Sequence, residues 1–357
     1  MHQRVFTLLL LAGLISMSSQ HFMGKNAEGF DLFKIDLDLD PKQRFLGPAQ
    51  HYEDTIKSLI SMYMQYVPSV VLDAFWAMDW IIKYYHPERY GEIQGMAEFA
   101  KIDTHLAVMM NYVYEFDSYC TSVIAKLNNG TIVHMRNLDF YFSNDTRNIT
   151  YIGQYYKNGQ HLYDAVMFAG IISPFTGYKD GKFAISLNQR DPSQNYLRLI
   201  QNVGMIFTGY KQSGWTIREA LESCEDYACA VLKVSTDHHI APSYMIVSGL
   251  KNNEGTIITR DRFSVANVRQ ISDQNWYLYQ TNQDHYNGDC PIRCQHAKAA
   301  FEKVGRNATI DAIYQNVLQE WPNLNYMSIH SAQMSAALGL FQVEKIYAYD
   351  QTDPGDL

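Results

Sequence analysis

The feature that most restricts this chain is Asn128-Asn129-Gly130, set between the β-branched and apolar runs 120–127 and 131–138. Asn-Gly is the strongest short turn signal, because both residues tolerate the left-handed backbone that a tight hairpin requires. The two runs are therefore expected to pair antiparallel and to bring Arg136 and Asp139 back beside Cys120. Everything before Cys120 reads as helix and everything after it begins as sheet, so the thiol stands at a boundary in composition.

A lone cysteine is more often core than catalytic. One placed where a new N-terminus would arise is different, because its α-amine would lie within reach of its own thiol and take the proton. Arg136 is a permanent cation that suits a thiolate, and Asp139 is expected to hold the amine by a charge-assisted hydrogen bond. The scissile bond would join Tyr119 to Cys120, and Cys120 is read as the nucleophile. His134, on the paired strand, is the base that a papain-type scheme would need, but no papain or caspase signature surrounds Cys120.

Phe116-Asp117-Ser118-Tyr119-Cys120-Thr121-Ser122-Val123, with Arg136-Asn137-Leu138-Asp139-Phe140, resembles the acid ceramidase and N-acylethanolamine-hydrolyzing acid amidase family. In that family the processed β-chain starts at Cys-Thr-Ser and carries Arg-Asn-(Leu/Met)-Asp at this spacing. Asn188-Gln189-Arg190, Ile240-Ala241-Pro242-Ser243-Tyr244, Ile258-Thr259-Arg260-Asp261-Arg262 and Thr281-Asn282-Gln283-Asp284 extend the likeness in order. The segments Gly91-Glu92-Ile93-Gln94-Gly95-Met96 and Met110-Asn111-Tyr112-Val113-Tyr114-Glu115 look closer to the amidase branch, while Ser186-Leu187-Asn188 and Ala241-Pro242 lean toward the ceramidase branch.

The resemblance implies an α+β fold, the four-layer αββα sandwich of N-terminal-nucleophile hydrolases preceded by a helical α-subunit. It implies lysosomal residence or secretion, self-cleavage before Cys120, and hydrolysis of a fatty-acyl amide lipid, an N-acylethanolamine or a ceramide. The products of the cut would be an α-subunit of residues 20–119 and a catalytic β-subunit of residues 120–357, remaining together as a heterodimer. Asn282 would help form the oxyanion hole, and Arg293 would support the site from a loop. One departure stands out: Gln189 occupies a position where the family has Glu. Glutamine keeps the hydrogen-bonding shape and loses the charge, so a positioning role survives while a carboxylate's role does not. An inactive lipid-binding homologue is the alternative reading.

Arg4, the apolar run Val5–Ile15 and the small residues to Ser19 read as a signal peptide over 1–19. Four glycosylation sequons, at Asn129, Asn144, Asn148 and Asn307, agree with secretion. No later apolar stretch has the length of a membrane span. Cys224, Cys229, Cys290 and Cys294 can pair three ways, with the two local pairs expected. Residues 20–119 contain no cysteine, so no disulfide would join the two subunits, unlike the ceramidase branch.

A formal charge of −8 at pH 7 without a basic run disfavours nucleic acid. Protonating all 12 histidines would carry that charge to +4, which suggests peripheral binding to anionic membranes at acid pH. Phe75, Trp76 and Trp80, in an apolar helix over 68–83, are the expected contact. His238-His239 lacks a second ligand cluster at zinc spacing, and no metal or other cofactor is expected.

The chain shows no linker, so one compact unit is predicted. The alternation in 33–40 predicts an edge strand with Asp36, Asp38 and Asp40 facing water. Helices are expected over 51–117 with breaks at Pro68 and Pro87, and strands near 184–190, 244–248, 256–262 and 276–281. Thr309 is the expected cap of a last helix reaching Trp321-Pro322.

Overall fold

A computed structural model describes residues 22–65, 78–112, 119–140, 142–190 and 196–347. The expected signal peptide, Pro68, Phe75 and Trp76, and the segment 113–118 ahead of Tyr119 lie outside the described residues. The chain forms two compact units rather than the single one predicted: 1–111 with 149–172, and 112–148 with 173–357. No linker marks the division because the chain passes between the units more than once.

The first unit opens with β1 (Phe22–Lys25) and β2 (Asp31–Asp36). Helices α1 (Leu46–His51), α2 (Glu53–Met64), α3 (Pro87–Ala100) and α4 (Thr104–Tyr112) follow. Pro87 occupies the first turn of α3, where its missing N–H costs nothing, which accounts for the expected break. Gly95 lets this helix press on the 3-10 turn Pro41–Gln43: a β-carbon there would stand 2.0 Å from the Lys42 carbonyl oxygen.

β2 is not an edge strand. It lies between β1, antiparallel, and β5 (Thr150–Lys157), parallel, and β5 continues into β6 (Gln160–Phe168). The alternation stops at Asp36 because the remaining carboxylates serve turns: Asp38 accepts from the Asn158 amide, and Asp40 caps the 3-10 turn at Lys42. Phe33 of β2 packs edge-on against Tyr151 of β5, with centroids 5.2 Å apart.

The second unit begins with β3 (Tyr119–Lys126) and β4 (Ile132–Asp139), the hairpin read from the sequence. Its turn has three residues rather than two, and only Gly130 takes a positive φ, +87°. A type I turn closed by a left-handed glycine fits this pattern. After α5 (Ser143–Asn148) and the return from the first unit, β7 (Thr176–Lys179), β8 (Phe183–Gln189), α6 (Tyr196–Ile206), α7 (Ser213–Ser223) and α8 (Tyr227–Thr236) follow. The remainder is β9 (Ser243–Ser248), β10 (Gly255–Arg260), β11 (Val265–Gln270), β12 (Tyr277–Gln280), α9 (Ile292–Val304), α10 (Ile310–Ile313), β13 (Ser328–Ser335) and β14 (Leu340–Lys345). Thr309 caps α10 as expected, but the helix widens into a π turn over Tyr314–Leu318 and ends short of Trp321.

Two sheets stack in this unit, β12-β3-β4-β13-β14 and β7-β8-β9-β10-β11. Strand alternation gives the first sheet two buried faces. Val123, Ala125, Val133 and Met135 face outward onto Ala297, Phe301, Ile313 and Val317, while Ile124 and Ile132 face inward onto Tyr244, Ile246 and Ile257. Helices α7 and α8 cover the far side of the second sheet. The order of layers is therefore helix, sheet, sheet, helix, and the fold is α+β. Cys224 pairs with Cys229 and Cys290 with Cys294, the two local bridges, and neither touches residues 20–119.

Candidate active site

Cys120 sits at the start of β3 and belongs to neither disulfide. Its side chain shares the inward face with Ser122 and Ile124. On β4 the inward set is Ile132, His134 and Arg136, and Arg136 stands opposite Ser122, one diagonal step from Cys120. Arg136 Nη2 donates to Cys120 Sγ at 2.7 Å and to the Leu187 carbonyl at 3.2 Å. Its Nη1 donates to Thr176 Oγ1 at 2.7 Å and the Phe175 carbonyl at 3.1 Å. The second sheet thus fixes the guanidinium against the sulfur, and both side chains are fully buried.

Asp139 does not take the place expected of it. It lies three positions after Arg136, an odd step, so the strand turns its carboxylate to the opposite face. There it accepts from Ser328 Oγ at 2.6 Å and Asn325 Nδ2 at 3.2 Å, with Arg293 Nη1 at 3.7 Å. Burial raises its pKa, with Arg293 the foremost opposing influence. The Cys120 backbone nitrogen donates instead to Asn282 Oδ1, at 3.1 Å.

Arg293 lies in the first turn of α9, not in a loop, and is completely buried. Its Nη1 donates to the Cys120 carbonyl at 3.0 Å and its Nη2 to Asn282 Oδ1 at 2.7 Å. Burial lowers its pKa, opposed chiefly by the Asp139 charge. Asn282 Nδ2, the donor that the resemblance assigns to an oxyanion, here donates to the Gln189 carbonyl at 2.8 Å. Cys120, Arg136, Asn282, Arg293 and the Gln189 backbone therefore form one connected cluster, with Asp139 behind Arg293 and Tyr119 at its edge, its ring 5.9 Å from the Arg293 guanidinium carbon.

Sequence reading assigned no role to Asn188, yet it ties the sheets together beneath Cys120. Its Oδ1 accepts from Ser122 Oγ at 2.7 Å, and its Nδ2 donates to the Gln280 carbonyl at 2.8 Å. Thr176, Asn325 and Ser328 were missed as well; each contacts the cluster from a distant part of the chain and carries no local motif. His134 is no partner for Cys120. It pairs with Ile124, its Nε2 lies 2.8 Å from Ser186 Oγ, and burial, followed by the Arg136 charge, pushes its pKa down to about 3.

Burial likewise pushes His239 down to about 3, His285 to about 4, and His330 well below the usual range. With those four kept neutral, protonating the other eight of the 12 histidines takes the formal charge of −8 to zero, not to +4. All four sequon asparagines are exposed. Asn129 also closes the hairpin turn by accepting from the Thr131 amide at 3.0 Å.

A buried cysteine opens an inner strand of the helix-sheet-sheet-helix sandwich, with an arginine at its sulfur, and the proteins that the chain resembles are amidohydrolases. No protein-family model matches the chain. It is 31% identical over 342 residues to the N-acylethanolamine-hydrolyzing acid amidase of Rattus norvegicus, covering 92% of each protein. It is 27% identical to the acid ceramidase of Pan troglodytes, over 90% of this chain and 87% of that one. The solved N-acylethanolamine-hydrolyzing acid amidase ortholog of Caenorhabditis elegans superposes with a TM-score of 0.56 at 32% identity, covering 61% of this chain and 93% of that one. The chain belongs to the family of N-acylethanolamine-hydrolyzing acid amidases and acid ceramidases.

Proposed function

We propose that the chain is a self-processing hydrolase of fatty-acyl amide lipids, N-acylethanolamines or ceramide, acting in the lysosome or after secretion with Cys120 as its nucleophile. The observation that carries this reading is that one residue is held at both ends of its chemistry: Arg136 at the sulfur, 2.7 Å away, and Asn282 at the nitrogen, 3.1 Å away. A fully buried thiol cannot meet a lipid, which fits a precursor whose first substrate is its own backbone.

In the precursor the Cys120 sulfur attacks the Tyr119 carbonyl. The C–N bond breaks as the nitrogen takes a proton, and water hydrolyses the resulting thioester to a Tyr119 carboxylate and the thiol. The new α-amine then accepts the thiol proton. The thiolate, stabilised by Arg136, attacks the lipid carbonyl, the protonated α-amine gives its proton to the departing amine, and water hydrolyses the acyl-thioester to the fatty acid and the free thiol. Asn282 turns its Nδ2 from Gln189 to the oxyanion, while Arg293, backed by Asp139, holds the Cys120 carbonyl. Residues 20–119 remain attached as the α-subunit. Trp80, Tyr84 and Tyr85, 64%, 75% and 50% exposed, offer a peripheral membrane contact, and no described helix is long and apolar enough to cross a membrane.

N-terminal sequencing after acid incubation tests the reading: the second fragment should begin Cys-Thr-Ser-Val-Ile, and Cys120→Ala should stay intact. Palmitoylethanolamide and a short-chain ceramide, assayed side by side, name the substrate, and an intact chain that still hydrolyses either would falsify the mechanism. Gln189, where the family has Glu, supports the second reading, an inactive lipid-binding homologue. That reading requires wild type to neither cut itself nor hydrolyse lipid while still binding acyl chains.

A further inference from the structure

Immediately after Gln189, at the end of β8, Arg190 grips Asp284 with a two-pronged contact. Arg190 Nε donates to Asp284 Oδ1 at 2.8 Å and Nη2 to Oδ2 at 2.7 Å. Two tyrosine hydroxyls complete the carboxylate's shell, Tyr244 donating to Oδ1 at 2.6 Å and Tyr286 to Oδ2 at 3.3 Å. Arg190 Nη1 reaches Asp261 Oδ1 at 2.6 Å, which anchors the guanidinium beyond β10. The pair is largely shielded, its side chains 14% and 22% exposed.

The position of this clamp matters more than its strength. Asp284 lies two residues after Asn282, and Arg190 one residue after Gln189. The same two segments are therefore joined by two rungs, the Asn282 amide on the Gln189 carbonyl and the Asp284 carboxylate on Arg190. A third contact, Gln280 Nε2 to the Gln283 carbonyl at 2.8 Å, stiffens the loop between them. Bidentate pairs fix geometry in a way that single point contacts do not.

We propose that Asp284, gripped by Arg190, is a positioning residue that aims the Asn282 amide at the Cys120 nitrogen. It touches no reacting atom. The inference rests on the proposed role of Cys120 and Asn282, and it adds the element that sets their separation. Burial alone would raise the Asp284 pKa, but hydrogen bonds from Arg190 and then Tyr244 hold it below the ordinary value, so the clamp persists in acid. A displacement of about 1 Å at a reacting centre costs roughly 10²-fold in rate, which sets the scale of the expected effect.

The test reads geometry separately from activity. In uncut Cys120→Ala protein, hydrogen exchange at the residue-120 amide reports its bond to Asn282. Adding Asp284→Asn should speed that exchange ~10-fold or more, leave the His134 amide in mid-β4 unchanged, and Arg190→Lys should fall between. In the active background, Asp284→Asn should lower kcat for palmitoylethanolamide roughly 10²-fold with KM within about twofold. Unchanged exchange at residue 120, or an equal rise at His134, overturns the proposal. A wild type without hydrolysis overturns the proposed function alone, and the exchange result still decides the clamp.

Discussion

Ser122 and Arg136 face each other across the β3–β4 hairpin, and that register carries the guanidinium to the Cys120 sulfur. A slip of one residue would turn Arg136 to the helix side and leave the sulfur facing the second sheet alone. Removing the guanidinium should accordingly abolish chemistry more than binding. Arg136→Ala is expected to slow both self-cleavage and lipid hydrolysis by ~10²–10³. Arg136→Lys, which keeps the charge and loses the fork, should recover part of the rate. Gel analysis of the cut and a kcat measurement read both effects, and hydrolysis at the wild-type rate in Arg136→Ala would remove the arginine from the mechanism.

Gln189 contributes its backbone carbonyl to the cluster, an interaction that Glu would make equally well. If the side chain only positions, Gln189→Glu should change processing and turnover little. If a lost carboxylate once moved a proton, restoring it should raise the rate by ~10². Wild type, Gln189→Glu and Cys120→Ala in one processing and hydrolysis assay separate these outcomes. The expected pattern is loss of both activities in Cys120→Ala alone.

Acid should loosen the fold through its buried histidines. His134 holds a pKa of about 3 folded and its ordinary 6.5 unfolded, so the unfolded chain takes up a proton that the folded chain refuses. The stability it permits is complete above 6.5 and declines as pH falls toward 3, by on the order of 3 kcal/mol near about pH 4.5. Urea unfolding of Cys120→Ala at neutral and acid pH should show this decline, and His134→Gln should remove its share while His239, His285 and His330 keep theirs. An equal pH dependence with and without His134 would exclude this residue as a source.

Membrane binding should depend on acid less steeply than the histidine count suggests. Four histidines are kept neutral by burial and add no positive charge in acid, so attraction to anionic vesicles is expected to draw on local contacts such as Trp80 as well as on charge. Tryptophan fluorescence should shift on vesicle binding at acid pH, and Trp80→Ala should weaken it several-fold. Binding that is abolished by salt but indifferent to Trp80→Ala contradicts this view.

The hairpin was legible because its signal is local: an Asn-Gly turn between two runs of the right length. The position of Arg136 followed from it. Asp139 was misplaced although the sequence held the correction, since residues 136 and 139 of one strand cannot share a face. The loop assigned to Arg293 was wrong because Pro291 marks the start of α9 rather than an irregular segment. The partners of Asp139, Asn325 and Ser328, lie more than 180 residues away in the chain, and no periodicity announces such a pairing. Nor could alternation alone show that β2 has neighbours on both sides, because partner strands leave no mark on a strand's own pattern.

That placement of β2 gives a cut before Cys120 a kinetic consequence. β2 lies upstream of the cut and its parallel neighbour β5 downstream, so one sheet is built from both products. The precursor can assemble this sheet within a single molecule, at a rate independent of concentration. Once clipped and unfolded, the same halves must find each other by diffusion, without the high effective concentration that a tether confers. Maturation would then make folding a one-time event: dilute mature protein, once denatured, should fail to regain activity, while uncut Cys120→Ala refolds.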